Sequence, residues 1–218
     1  MKDLQKLVGS LNKSGALSGF LGGVAGGGLT SLVSGKGSKK TGKKAIKYGA
    51  LAAVGGLAWK AYKQYSAQTN STQSQTTKQT SSFDYAPETM PEQSFQQVVE
   101  DESGAGQLIL MRAMIAAAYA DGHIDETERQ KIFSQVETMA LSMQEKAMLF
   151  DELRKPMTLS ELVQAVPNSQ TGIEVYTASA SAIDLQQPIS QQYLDVLADQ
   201  LCLPTELVSH IHLQLAAQ

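Results

Sequence analysis

Ala118-Tyr119-Ala120-Asp121-Gly122-His123-Ile124-Asp125-Glu126-Thr127-Glu128-Arg129 is the stretch on which the reading of the fold turns. It joins an apolar helical run to a charged one. Upstream, Leu108, Ile109, Met111, Ala113, Met114, Ile115, Ala117 and Ala118 cover most faces of a helix, with Arg112 the exception. A helix apolar nearly all round belongs in a core, so this run predicts a central buried helix. Downstream, Ile132, Phe133, Val136 and Met139 fall on one stripe of a second helix that starts at Glu126. Between the two, Gly122 suits a left-handed cap of the first helix. Asp125 suits the N-cap of the second, Glu128 completes a capping box, and Ile124 is placed as a hydrophobic staple. These roles leave Asp121 and His123 without a structural explanation.

Toward the C-terminus the same grammar repeats. Ser142-Met143-Gln144-Glu145 and Thr158-Leu159-Ser160-Glu161 are capping-box patterns, each opening a helix. Asn168 or Ser169 caps a run carrying Ile173, Val175, Tyr176, Ala178 and Ala180 to Asp184. Ser190 is read as the cap of a helix with Tyr193, Leu194, Leu197 and Leu201, and Pro204 opens the last one, with Leu207, Val208, Ile211 and Leu215. No stretch alternates with period two. The expectation is an all-α bundle of about seven helices over residues 92–218. A faint internal repeat pairs Asp121…Ile124-Asp125…Leu141 with Asp184…Ile189-Ser190…Leu203. It suggests two related helical hairpins.

Toward the N-terminus the texture changes. Residues 66–91 are rich in Ser, Thr and Gln with no apolar periodicity, the composition of a disordered linker and hence of a tether. Residues 1–65 hold eleven lysines and one acid, a charge of +10, whereas the remainder carries −13, together giving the net −3. Such asymmetry points to a basic arm and an acidic body. Lys36, Lys39, Lys40, Lys43, Lys44 and Lys47 form a cluster suited to anionic lipid headgroups. Nucleic acid is not expected, because no aromatics or arginines are interleaved and no reading helix is recognisable. Residues 14–35 carry no charge and are long enough to cross a hydrocarbon core of about 30 Å as a helix. In them Gly15, Gly19, Gly23 and Gly27 recur every fourth residue, a small-residue stripe fit for helix pairing and homo-oligomers. A glycine-rich loop is the competing reading, since glycine is a poor helix former in water. Residues 48–59 are a second uncharged run, flanked by Lys47 and Lys60 with Trp59, Tyr62 and Tyr65 nearby, and read as a short membrane or interfacial segment. The division is therefore a membrane-associating segment 1–65, a linker 66–91 and a helical domain 92–218.

The chemistry on offer is sparse. A single cysteine, Cys202, excludes an internal disulfide framework and a cysteine zinc cluster. Asp121, Asp125 and Glu128, with His123 and Glu126 beside them, match the second half of a calcium-binding EF-hand loop in spacing. The first half is missing, as Ala117 and Tyr119 occupy ligand positions, so a full EF-hand is rejected. What remains is either a structural turn or a carboxylate-rich site for Ca²⁺ or Mg²⁺. His210 and His212 lie two apart on one helix and face different ways. No nucleophile–base arrangement is visible.

The turn, with Leu110-Met111-Arg112-Ala113-Met114-Ile115-Ala116-Ala117 before it, resembles the tellurite-resistance TerB-like helical domain. The whole layout resembles a family of bacterial inner-membrane proteins that carry this domain behind a glycine-rich basic front. The resemblance implies an all-helical domain of about seven helices, inner-membrane association, and an Asp-Gly-x-Ile-Asp-x-x-Glu turn serving as a metal or signalling site through Asp121, Asp125 and Glu128. The expected function is a membrane-tethered, non-enzymatic interaction or sensing module facing the cytoplasm, with an unidentified protein partner. A metal-dependent hydrolase and a purely structural envelope or stress protein are the alternatives.

Overall fold

The computed structural model describes residues 51–69, 83, 85, 90–100, 103–124, 126–139 and 141–217. These residues form nine helices: α1 (Leu51–Thr69), α2 (Glu92–Glu100), α3 (Ala105–Ala118), α4 (Glu126–Thr138), α5 (Met143–Glu152), α6 (Leu159–Gln164), α7 (Ser169–Ala182), α8 (Pro188–Gln200) and α9 (Thr205–Ala216). No strand occurs among the described residues. The protein is all-α, and eight of the helices fall in the segment expected to hold about seven.

Helices α3 and α7 pack along one another at the centre. Both are buried on nearly every face, as their composition requires. Arg112, the exception on α3, extends to α5, where its guanidinium donates to Glu152 Oε1 at 2.8 Å from Nε and 2.6 Å from Nη2. The local signals upstream of the later helices act as expected. Ser142 and Thr158 each accept from the backbone of the residue three on, and Glu145 and Glu161 reach back to complete both capping boxes. The Asn168 side chain accepts from Thr171 N at 2.9 Å and starts α7.

The internal repeat is real in element lengths, at a different register from the sequence expectation. Helices α3 and α7 both have 14 residues, and α4 and α8 both have 13. Leu141 follows the first residue of α4 at the same spacing, fifteen, at which Leu203 follows Pro188, and both leucines are buried. Ser190 is not the cap of α8. Pro188, with its fixed φ and absent N–H, takes the first turn instead, and Ser190 is buried inside the helix.

The larger departure is α1. The run read as a second membrane segment joins the bundle, and the helix continues through the expected boundary at 65/66. Leu51, Val54, Ala58, Ala61 and Tyr62 are buried in the common core, and α1 packs on α9, α2 and α7. The reason is tertiary. Gly55 lets α1 approach so closely that a Cβ there would overlap the Phe95 carbonyl of α2. Trp59 and Tyr62 then close on the Phe95 ring, at centroid distances of 5.7 and 5.8 Å. Tyr85, inside the expected linker, is also buried: its hydroxyl donates to Leu201 O at 2.7 Å and sits against Gly172. The linker is thus fastened to the same body at both ends. The glycine stripe Gly15, Gly19, Gly23 and Gly27 and the lysines at 36, 39, 40, 43, 44 and 47 lie outside the described residues. Among the described residues no helix is long and apolar enough to cross a membrane.

Candidate functional site

The acidic turn is built by the end of α3. Ala120 N donates to Ala117 O and Gly122 N to Tyr119 O, winding the last turn. Gly122 then takes φ 92°, a left-handed conformation that glycine adopts without steric penalty. Ile124 turns inward and is buried. Asp121 Oδ1 accepts from His123 N at 3.1 Å and lies 3.1 Å from His123 Nδ1. The edge that sequence reasoning left unexplained is therefore an Asx turn, in which a short acidic side chain satisfies the backbone two residues on. The second half repeats it: Asp184 Oδ1 accepts from Gln186 N at 2.9 Å after α7.

Of the metal ligands expected from the sequence, the side chain of Asp121 is among those described, as are His123 and Glu126 near it in the chain. Asp121 and His123 contact each other; Glu126 accepts from Gln130 and lies 3.8 Å from Arg129. Asp125 and the Glu128 side chain lie outside the described residues. Among the described residues no group of three or more His, Cys, Asp or Glu side chains is arranged to hold an ion. The turn presents Asp121, His123 and Glu126 as an exposed, mainly acidic corner.

A second polar locus was missed. Glu174, in the middle of α7, is fully buried. Gln170 Nε2 bridges it to α2, donating to Glu174 Oε2 at 3.2 Å and to Ser94 O at 2.7 Å. Glu174 Oε1 has no hydrogen-bond partner and points toward Gly55 of α1, 3.4 Å from where a Cβ would stand. Burial pushes this carboxyl up to about 9, with the Gln170 hydrogen bond pulling weakly the other way. The sequence did carry a signal: Glu174 is the sole charge between Glu161 and Asp184. A lone acid in such a run is either on the helix's wet face or buried, and α7 has no wet face.

The histidines on α9 are both engaged. His212 Nε2 is 2.9 Å from the Tyr176 hydroxyl, and His210 Nε2 is 3.1 Å from Gln68 Oε1 of α1. Burial holds His212 below the usual imidazole range and raises the Tyr176 hydroxyl above the phenol range. Exposed Cys202 sits at φ 55° as the left-handed residue of a Schellman cap, with Leu203 N donating to Ala198 O and Cys202 N to Asp199 O.

Over 98 residues the chain is 26% identical to "Uncharacterized protein in ampR 5'region" of Yersinia enterocolitica, an alignment covering 45% of this chain and 70% of that protein. No solved structure matches. Residues 19–215 match the family described as "Protein of unknown function (DUF533)", and the chain belongs to that family.

Proposed function

We propose that the chain is a membrane-tethered, non-enzymatic interaction module of TerB-like type at a bacterial inner membrane, with its helical body on the cytoplasmic side. The observation that carries the reading is the position of α1. This helix begins four residues after Lys47 and is part of the bundle core. In sequence only residues 48–50 separate these six lysines, between 36 and 47, from the body. Each lysine near an anionic surface contributes about 1 kcal/mol at most. The body itself is acidic and would be repelled by that surface, so the lysines decide the approach. The exposed corner of Asp121, His123 and Glu126 is the surface offered to a protein partner. Neither the family nor the relative indicates a catalytic class.

The test is flotation of the full-length protein with vesicles of phosphatidylcholine alone or with phosphatidylglycerol. Binding is expected only with the anionic lipid, falling as salt rises. It should be lost when Lys36, Lys39, Lys40, Lys43, Lys44 and Lys47 are all changed to Gln. Equal binding by that variant would remove the lysines from the reading, and absence of binding to any vesicle would end it. Titration of the same protein with Ca²⁺ and Mg²⁺, against Asp121→Ala, tests whether the acidic corner also takes an ion.

A further inference from the structure

The eight helices α2–α9 fall into two successive sets of four, matched in order and nearly in length. Helix α1 stands outside that scheme. It lies across α2 of the first set and α7 and α9 of the second. In sequence its two ends lead to the lysine segment and to the Ser/Thr/Gln segment. Its buried face is apolar throughout: Leu51, Val54, Leu57, Ala58, Ala61 and Tyr62. The polar ties to α9 are at the rim, where Gln64 Oε1 accepts from Gln214 Nε2 at 3.2 Å and His210 pairs with Gln68. Beneath this helix sits Glu174, whose Oε1 is unpartnered.

We propose that α1 is a two-partner helix, whose apolar face either fills the groove between α2, α7 and α9 or enters an anionic lipid surface, with buried Glu174 keeping the first docking weak enough for the second to compete. This inference rests on the membrane reading above. The same features that suit the groove suit an interface: residues 51–59 carry no charge and end on Trp59, and beyond it the exposed Lys60 and Lys63 are interleaved with Tyr62 and Tyr65. A lipid surface already held by the lysines would meet α1 first.

The part played by Glu174 follows from what surrounds it. From α1 it meets the backbone at Gly55. From α2 it is linked, through Gln170, to the Ser94 carbonyl. Of the charged and titratable groups on the neighbouring elements, Lys60 and Lys63 on α1, Glu92 and Glu100 on α2 and Glu206 on α9 are exposed. Arg112 on α3 is held by Glu152, and His212 and His210 on α9 are held by Tyr176 and Gln68. With only burial and Gln170 acting on it, Glu174 must take up a proton to stay covered at neutral pH. Release of α1 lets water reach the carboxyl and the proton leave. The 2.5 pH units between its ordinary value and pH 7 bound the resulting weakening of α1 docking at about 300-fold.

The chain's only tryptophan, Trp59, is on α1 and reports its surroundings. Full-length protein is mixed at pH 7 with phosphatidylglycerol-containing vesicles whose acyl chains are brominated, and bound protein and Trp59 quenching are both measured. Wild type is expected to bind with strong quenching. Glu174→Gln, which needs no proton to stay covered, is expected to bind within twofold of wild type with quenching reduced at least fivefold. A Gln64→Cys/Gln214→Cys pair in a Cys202→Ser background, oxidised to lock α1 onto α9, is expected to bind without quenching and to regain quenching on reduction. Binding of wild type without quenching overturns the two-partner helix and leaves the membrane reading intact. Quenching that is equal in wild type and Glu174→Gln removes Glu174 from it, and quenching that persists in the locked protein shows that α1 need not leave its groove. Failure of every form to bind vesicles overturns both readings.

Discussion

Replacing Glu174 by Gln should stabilise the protein at neutral pH and do nothing at pH 4. In the folded chain this carboxyl titrates near 9, against an ordinary value of 4.5. Below about pH 4.5 it is protonated whether the chain is folded or not, and folding carries no proton. Between 4.5 and 9 the unfolded chain releases the proton while the folded chain keeps it. Folding then takes up a proton, and stability falls by up to about 1.4 kcal/mol per pH unit. At pH 7 the accumulated loss is bounded at about 3 kcal/mol; relaxation around the site will reduce it, so a gain of about 1–3 kcal/mol is expected for the variant. The substitution is close to neutral otherwise. Gln170 Nε2 still finds an oxygen acceptor, and the group facing Gly55 is unpartnered in either case. Urea unfolding followed by Trp59 fluorescence at pH 4, 5.5, 7 and 8.5 measures both proteins. The difference between them should grow steadily from zero at pH 4. A difference that is constant over that range would refute the assignment of a buried proton to Glu174.

Three further substitutions test the fold around α1 and the helix ends. Gly55→Ala places a Cβ on the Phe95 carbonyl and should displace α1; a loss of about 1–3 kcal/mol, the range for overpacking, with a red shift of Trp59 emission, is expected. Cys202→Gly relieves a non-glycine residue at φ 55° and should add about 1 kcal/mol by chemical unfolding. Ser142→Ala removes the acceptor for Glu145 N and should lose about 1 kcal/mol in the same measurement.

What was legible in the sequence is what local chemistry decides. Ser142 with Glu145 and Thr158 with Glu161 start helices because each pair satisfies its own turn's N–H groups, and no distant residue has a say. The buried character of α3 was equally readable, since a helix with one charge in fourteen residues has nowhere else to go. Failures came where two local signals compete or where only a distant partner decides. At the start of α8 a serine was preferred to a proline two residues earlier, and the proline's fixed backbone won. At α1 the run of alanine, glycine and leucine between lysines is as good an interfacial segment as a core helix. The deciding contact, Gly55 under Phe95, lies forty residues away in the chain. Of the acidic site, the turn itself was legible through Gly122 and Ile124, whereas the internal use of Asp121 by His123 is a matter of side-chain geometry that spacing does not carry.

The placement of α1 also changes what the Ser/Thr/Gln segment does. As a tether between an anchor and a domain, its length would set how far the acidic body ranges from the lysines, and shortening it would restrict function. With α1 in the core on one side and Tyr85 bonded to Leu201 O on the other, the segment instead closes a loop on a single body. The entropy of closing such a loop rises only slowly with length, by about 0.6 kcal/mol per doubling. Its length and polar composition are therefore weakly constrained by stability. Its ends carry the constraint: Thr69 on the α1 side, and on the other Tyr85, whose ring is packed beside Phe83 and whose hydroxyl rests on Gly172. In sequence only residues 48–50 separate Lys47 from α1, so on the membrane reading proposed above a surface that held residues 36–47 would lie near α1.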